Sequence, residues 1–204
     1  MSELPTIVSQ RSARIGPGRL VLVVGPSGAG KDTLLNLARR ACAGNTSIVF
    51  PRRLVTREAS AFEDNLQVDD EAFERLLAEG ALAVHWGAHG HRYALPRRVE
   101  DEVRAGHTVV ANVSRTVVDP LRQSYADVVV VAISAPPEVL AERVALRRRG
   151  SDGAIELRLA RSVDDDRVPP DVTIVNIGDP AAHADRLVQA IAGVPTREPE
   201  PKPR

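Results

Sequence analysis

The chain is poor in cysteine, lysine and aromatic residues, and it has no net charge. Its one cysteine, Cys42, cannot form an internal disulfide, which argues against a disulfide-stapled secreted scaffold. No apolar run is long enough to span a bilayer, and the N-terminus lacks the pattern of a signal peptide. The 27 basic and 27 acidic residues balance, so charge does not favour a nucleic-acid or membrane partner. We therefore expect a soluble, cytoplasmic enzyme that binds neither.

The scarcity of lysine is informative. Of the 27 basic residues only Lys31 and Lys202 are lysines, and the other 25 are arginines. A compact ammonium is needed where a side chain reaches between phosphate groups, and a guanidinium fork is too broad for that place. Lys31, the one lysine in the body of the chain, follows a glycine-rich stretch, which indicates such a site.

That stretch has the context of a phosphate-binding loop (P-loop). The apolar residues 20–24 predict a buried parallel strand, and helical spacing of apolar residues begins at Lys31. A strand, a G-x-x-x-x-G-K loop and a helix in this order predict backbone N–H groups turned around a phosphate at a helix N-terminus. The candidate ATP-binding residues of this stretch are Gly25, Pro26, Ser27, Gly28, Ala29, Gly30, Lys31, Asp32 and Thr33.

Strands alternate with helices along the rest of the chain, which predicts an α/β fold with a mainly parallel sheet covered on both faces. Ligands of such sheets lie beyond the carboxyl ends of the strands, where Gly25, Arg57, Asn112 and Asn176 fall. We expect a flexible tail at 1–18, one domain at 19–193 and a disordered tail at 194–204. We also expect a surface loop at 58–67, a helix capped by Asp69 or Asp70, and a loop at 86–93.

Two positions depart from an ordinary P-loop enzyme. The residue after Lys31 is Asp32 rather than Ser or Thr, and the strand that would supply an aspartate ends in Asn112 and Ser114. We hypothesise that the carboxylate has moved, so that Asp32, with Thr33 beside it, holds Mg²⁺ directly or through water.

Several arginines are candidates for binding phosphate groups. The cluster around Gly150 at about 147–162 fits a mobile lid, although a solvated helix face is the usual reason for such a run. Arg53 and Arg57 fit a phosphorylated acceptor, or else lie on an exposed strand edge.

The histidines at 85, 89 and 91 are irregularly spaced and far from cysteine, which argues against zinc. Trp86 and Tyr93 are expected to pack and line their loop, although either could touch a substrate.

Several motifs together resemble the guanylate-kinase-like branch of the nucleoside monophosphate kinases. They are the P-loop, the pair Thr56-Arg57, residues 136–138 and the Arg-Arg-Arg-Gly of the lid. The resemblance covers about residues 18–192. It implies a three-layer P-loop kinase fold with a five-stranded parallel sheet, an acceptor-binding segment at about 50–96 and the Arg-rich lid.

Within that branch the chain is similar to the ribose 1,5-bisphosphate phosphokinase family, which serves phosphonate breakdown. The similarity lies in Gly30-Lys31-Asp32-Thr33 and in residues 55–60, 63–65, 85–90 and 112–115. It implies transfer of the ATP γ-phosphoryl group to the 1-phosphate of ribose 1,5-bisphosphate, with Mg²⁺, giving phosphoribosyl diphosphate. The small-molecule partners are then ATP and a phosphorylated ribose. For the oligomeric state we expect either a monomer or a homodimer.

The resemblance also implies roles for single residues. Asn176 lies where the family contacts adenine, and Lys31 with Arg148, Arg149 and Arg158 would act on the transferring group. The expected acceptor-binding residues are Arg53, Arg57, Tyr93, Asn112, Ser114 and Arg115.

Two alternatives stay open. Guanylate kinase is one, although residues 58–67 contain no tyrosine and Asn112 and Ser114 replace the carboxylates expected to bind guanine. A non-catalytic binding module is the other, although such a module needs neither Lys31 nor an arginine lid.

Overall fold

The computed structural model describes residues 13–58, 64–88, 90–146 and 169–194. The expected lid, with Arg148, Arg149 and Arg158, lies outside the described residues, as do His89 and the tail beyond residue 194.

Nine strands and six α-helices are present in the described residues. The strands are β1 (Ile15–Val24), β2 (Ile48–Val49), β3 (Arg53–Val55), β4 (Asn65–Gln67), β5 (Leu82–Ala88), β6 (His91–Pro96), β7 (Thr108–Asn112), β8 (Tyr125–Ser134) and β9 (Val172–Val175). The helices are α1 (Lys31–Ala41), α2 (Asp70–Ala78), α3 (Arg98–Arg104), α4 (Val118–Ser124), α5 (Pro137–Leu146) and α6 (Pro180–Ile191), with a 3₁₀ turn at Arg115–Val117.

The main sheet has five strands in the order β2-β7-β1-β8-β9, and all its neighbours are parallel. Side chains of a strand alternate between the two faces. Leu20 and Leu22 pack with α3 and α4, whereas Val21 and Val23 pack with α1, α5 and α6. The predicted three-layer α/β fold with a five-stranded parallel sheet is therefore confirmed.

The first strand starts earlier than we expected. Ile15 is buried and pairs with Tyr125 of β8, and Gly18 lies so close to the carbonyl of His107 that a Cβ would be 2.3 Å from it. The prediction of a tail reaching residue 18 is wrong for residues 15–18, because long-range pairing orders a glycine- and proline-rich segment that shows no periodicity of its own.

A second sheet, of four strands in the order β4-β3-β6-β5, is built from the expected acceptor segment. The loop expected at 86–93 is instead most of an antiparallel hairpin, in which Trp86 pairs with Tyr93 and their rings stack 5.8 Å apart. The end of the loop expected at 58–67 forms β4, which pairs with β3. Both predictions missed cross-strand pairing, which the glycines and polar residues of these segments concealed.

Helix α2 begins as expected, because the Asp69 side chain accepts a hydrogen bond from the N–H of Ala72 at 2.7 Å. No helix within the described residues has the length and apolar character needed to cross a membrane.

Candidate active site: a phosphate loop beside a polar pocket

The P-loop joins the central strand β1 to α1. Gly25 has φ 147°, and a Cβ there would lie 2.0 Å from the carbonyl oxygen of Ile133, so only glycine fits this turn. Lys31 is the first residue of α1, and its ammonium donates to the carbonyls of Gly25 at 2.7 Å and Pro26 at 2.9 Å. The ammonium is thereby placed over the loop, at the positive end of the helix dipole.

Asn176, after the end of β9, contacts the P-loop. The residue is 2 % exposed, and its Nδ2 donates to the carbonyl of Ala29 at 2.8 Å. A Cβ at Gly30, which has φ 86°, would lie 2.3 Å from that same Nδ2. Asn176, expected to contact adenine, is therefore buried and bonds to the backbone of the P-loop through its side-chain amide.

Asp32 and Asn112, the two positions that depart from an ordinary P-loop enzyme, are in contact. Asn112, the last residue of β7, donates from Nδ2 to the Asp32 carboxylate at 3.2 Å. The Asn112 carbonyl accepts a long hydrogen bond of 3.5 Å from Arg53. The carboxylate thus lies one residue after the lysine and is oriented by the side chain that occupies the usual aspartate position.

Asp32 and Thr33, both in the first turn of α1, offer a carboxylate and a hydroxyl to a metal ion. These are the hard oxygen donors that Mg²⁺ prefers, and Mg²⁺ commonly binds through one or two protein ligands and the phosphates of its nucleotide. Thr33 is exposed, so its hydroxyl is accessible. The residues present therefore fit Mg²⁺.

A polar pocket lies between α1, the carboxyl end of the main sheet and the small sheet. It contains about 470 Å³ of open space, part of it continuous with solvent. Its lining residues are Asp32, Leu35, Asn36, Arg39, Phe50, Pro51, Arg53, Asp64, Asn65, Leu95, Val110 and Asn112. Seven of the twelve lining residues carry charged or amide side chains, which suits a compact ligand that offers phosphate and hydroxyl groups.

The expected acceptor residues Arg53, Arg57 and Tyr93 come together in the small sheet. Arg57 Nε donates to the Tyr93 hydroxyl at 3.3 Å, and the Arg53 guanidinium lies 5.1 Å from the centre of the Tyr93 ring. Tyr93 is buried and stacked on Trp86, so the ring packs while its hydroxyl holds Arg57.

The other two predicted acceptor residues, Ser114 and Arg115, lie after the end of β7. The Ser114 hydroxyl caps the 3₁₀ turn, accepting from the Thr116 N–H at 3.3 Å and from the Thr116 hydroxyl at 3.0 Å. Arg115 begins that turn and is half-buried. Neither Ser114 nor Arg115 belongs to the described residues that line the pocket.

The histidines have different environments. His85 is buried edge-on to the Phe73 ring, and burial, with the nearby Arg92, lowers the pKa of its imidazole. His91 begins β6. In the parts of the chain that the structure describes, no three His, Cys, Asp or Glu side chains form a group that could hold a metal ion.

Sequence reasoning missed several residues of the site. Asn36 and Arg39 could have been found, because they follow Asp32 at helical spacing on one face of α1. Asn65 lies in the family motif at 63–65, which indicates no role for that single residue. Arg143, on α5, approaches the carbonyl of Gly28 at 3.5 Å, and no sequence motif indicates this contact. Their positions depend on how distant segments pack.

Comparisons with known proteins bear on the family to which the chain belongs. No protein-family profile matches the chain. A Rhodopseudomonas palustris protein named ribose 1,5-bisphosphate phosphokinase PhnN is 62% identical over 185 residues, 91% of this chain and 94% of that protein. Its namesake from Bradyrhizobium diazoefficiens is 57% identical over 198 residues, 97% of this chain and 100% of that protein.

Among solved structures, a guanylate kinase from Anaplasma phagocytophilum matches with a TM-score of 0.63. It is 24% identical in sequence, and the match covers 88% of this chain and 87% of that one. This likeness bears on the fold alone. The two sequence relatives decide between the branches that share this fold: the chain belongs to the ribose 1,5-bisphosphate phosphokinase family.

Proposed function

We propose that the protein transfers the γ-phosphoryl group of ATP to the 1-phosphate of ribose 1,5-bisphosphate. The observation that carries the proposal is the pocket whose wall begins at Asp32, the residue after the P-loop lysine, and includes Asn36, Arg53, Asn65 and Asn112. The name of the two relatives supports the same acceptor. Since ATP is a cytoplasmic metabolite, we place the reaction in the cytoplasm.

In this reaction an oxygen of the acceptor's 1-phosphate attacks the γ-phosphorus in line. A new P–O bond forms, the bond to the β–γ bridging oxygen breaks, and ADP leaves with that electron pair. The attacking oxygen is already ionised, so no general base is needed. Catalysis then depends on position and on charge stabilisation, which is the usual case for phosphoryl transfer.

On the donor side, the loop N–H groups and Lys31 hold the β- and γ-phosphates. Asp32 and Thr33 would hold Mg²⁺, which when bound neutralises charge on the phosphate oxygens. Asn176 and Gly30 keep the loop in the required shape. Arg148, Arg149 and Arg158 are proposed to close over the transferring group.

On the acceptor side, Arg53, Arg57 and Arg115 are proposed to bind phosphate oxygens, because guanidinium forks match them. Asn112 would bond the ribose hydroxyls while it orients Asp32. Tyr93 acts through its hydroxyl by holding Arg57, and Ser114 acts by shaping the turn that presents Arg115.

The test measures ADP release from Mg-ATP with ribose 1,5-bisphosphate, beside GMP at equal concentration. We expect strong turnover with the ribose compound, with phosphoribosyl diphosphate as the product, and little with GMP. Lys31→Met is the control for contaminating kinases. Turnover with GMP alone would contradict the proposal and favour a guanylate kinase, whereas no turnover with either would favour a binding module.

A further inference from the structure

One face of α1 forms a wall of the polar pocket. Asp32, Leu35, Asn36 and Arg39 all line the pocket, and their spacing of three, four and seven residues places them on one side of a helix. With a rise of 1.5 Å per residue, Arg39 lies about 10 Å beyond Asp32 along the helix axis. The polar groups therefore follow one another away from the P-loop as carboxylate, amide and guanidinium.

Two arginines converge on one carboxylate at the far end of this wall. Arg39 Nη1 pairs with Asp64 Oδ2 at 2.5 Å, and Arg52 Nε lies 2.9 Å from Asp64 Oδ1. Arg52 also donates to the carbonyl of Asn65 at 2.9 Å, and the Arg39 guanidinium lies 5.6 Å from the centre of the Phe50 ring. Two positive groups thus share a single negative one.

The arrangement has donor capacity left over. A guanidinium carries five N–H donors, and the Nε of Arg39 is buried without a hydrogen-bond partner in the described residues. The side chains of Arg39 and Asp64 are 37% and 40% exposed, and ion pairs at such exposure contribute little to stability, about 0–1 kcal/mol. A phosphate dianion could therefore displace the carboxylate at small cost.

We propose that Arg39, assisted by Arg52, binds the phosphate at the non-reacting end of the acceptor, and that Asp64 occupies this position until the acceptor arrives. The inference rests on the proposed function. A pentose with a phosphate at each end would place its reacting phosphate beside Lys31, its hydroxyls near Asn36 and its second phosphate at Arg39. The helix face would then select doubly phosphorylated over singly phosphorylated sugars.

The experiment compares kcat/KM for ribose 1,5-bisphosphate and for ribose 1-phosphate, which lacks the second phosphate. In Arg39→Gln we expect kcat/KM for the bisphosphate to fall about 10- to 100-fold, the range for losing a charge-assisted hydrogen bond, through KM. The value for ribose 1-phosphate should stay unchanged, so that the preference for the bisphosphate collapses. Arg40→Gln, one residue further along α1 and exposed, is the matched control and should keep the wild-type preference.

A purely structural role for Arg39 predicts a different pattern. If Arg39→Gln lowers kcat/KM for both sugars by the same factor, the ion pair only holds α1 against the small sheet and the inference is wrong. Asp64→Asn separates the two roles, because it removes the competing carboxylate but keeps both arginines. We expect it to lower KM for the bisphosphate, and a rise equal to that of Arg39→Gln would contradict the inference.

The phosphate site can also be tested without turnover, by measuring how a ligand changes the melting temperature. Ribose 5-phosphate carries only the second phosphate, so it should raise the melting temperature of the wild type and of Arg40→Gln but not of Arg39→Gln. If the wild type does not phosphorylate ribose 1,5-bisphosphate, the proposed function fails, yet this Arg39-dependent protection would still support the phosphate site. Equal protection of all three proteins, or none, would overturn it.

Discussion

The P-loop and the acceptor pocket adjoin along α1, but the chain builds them in different ways. The proposed donor side comes almost entirely from one continuous segment, β1, the loop 25–30 and the start of α1, and it offers largely backbone groups to a phosphate. The proposed acceptor side is lined by residues of α1, β3, β4, β6 and β7 and of the connections between them, and it offers mainly side chains. Phosphate binding by backbone N–H groups requires one loop conformation, so few substitutions in the loop are tolerated. Binding by side chains changes whenever one of those side chains is substituted.

The largest effect is expected at the donor side, in Lys31→Met. Removing one preorganised charge from the transferring group should lower kcat by about 10³-fold with every acceptor. ADP release measures this loss, and an unchanged melting temperature shows that the fold is intact. Lys31→Arg should fail nearly as badly, and substantial activity in that variant would refute the idea that only a compact ammonium fits.

A smaller and more selective effect is expected on the acceptor side, in Arg57→Gln. The loss of a charge-assisted hydrogen bond should raise KM for ribose 1,5-bisphosphate about 10- to 100-fold and leave KM for ATP unchanged. Steady-state kinetics with each substrate varied in turn measure the split. Equal increases in the KM values for ATP and for ribose 1,5-bisphosphate would contradict the assignment of Arg57 to the acceptor side alone. Tyr93→Phe, which removes only the hydroxyl that holds Arg57, should show the same selectivity at a lower magnitude.

The buried support of the loop should show a stability effect with a donor-specific consequence. Asn176→Ala removes the 2.8 Å bond to Ala29 and should cost about 1–3 kcal/mol of folding free energy, with a higher KM for ATP only. Denaturant unfolding and kinetics measure the two effects. Gly30→Ala should be at least as damaging because its Cβ would meet Asn176, whereas Gly44→Ala, with nothing within 4 Å, is the control.

The smallest effect concerns His85, a buried residue of β5 in the small sheet. Burial and Arg92 hold the pKa of His85 below its ordinary value of 6.5 in the folded protein. Below about pH 6.5 the unfolded chain therefore takes up a proton that the folded chain refuses, so stability decreases as pH falls through the interval between the two pKa values. Melting temperatures at pH 7.5 and pH 5.5 measure the decrease.

His85→Leu should make that decrease smaller, and His91→Gln, at a position that is not buried, should leave it as in the wild type. An equally steep decrease in His85→Leu would assign the pH dependence to other groups. Turnover should follow the folded fraction in each case, because His85 is not among the described residues that line the pocket.

The P-loop could be predicted from the sequence, whereas much of the small sheet beside the pocket could not. The loop and Lys31 could be predicted because strand, glycines and helix N-terminus are consecutive, and local patterning determines all three. The hairpin that pairs Trp86 with Tyr93 was missed, because the glycines around it indicate a loop until the partner strand is known. The strand start at Ile15 was missed for the same reason, since its order comes from β8, more than a hundred residues away.

The sequence by itself determined the parallel α/β fold, the phosphate loop and the placement of a carboxylate at position 32. Each of these depends on neighbouring residues, through their apolar periodicity or through glycines that allow a tight turn. Only the tertiary structure decided that Asn176 contacts the loop, that Asn112 orients Asp32, and that Arg39 and Arg52 meet at Asp64. Those contacts join segments far apart in the chain, and their geometry depends on how the two sheets and α1 pack together.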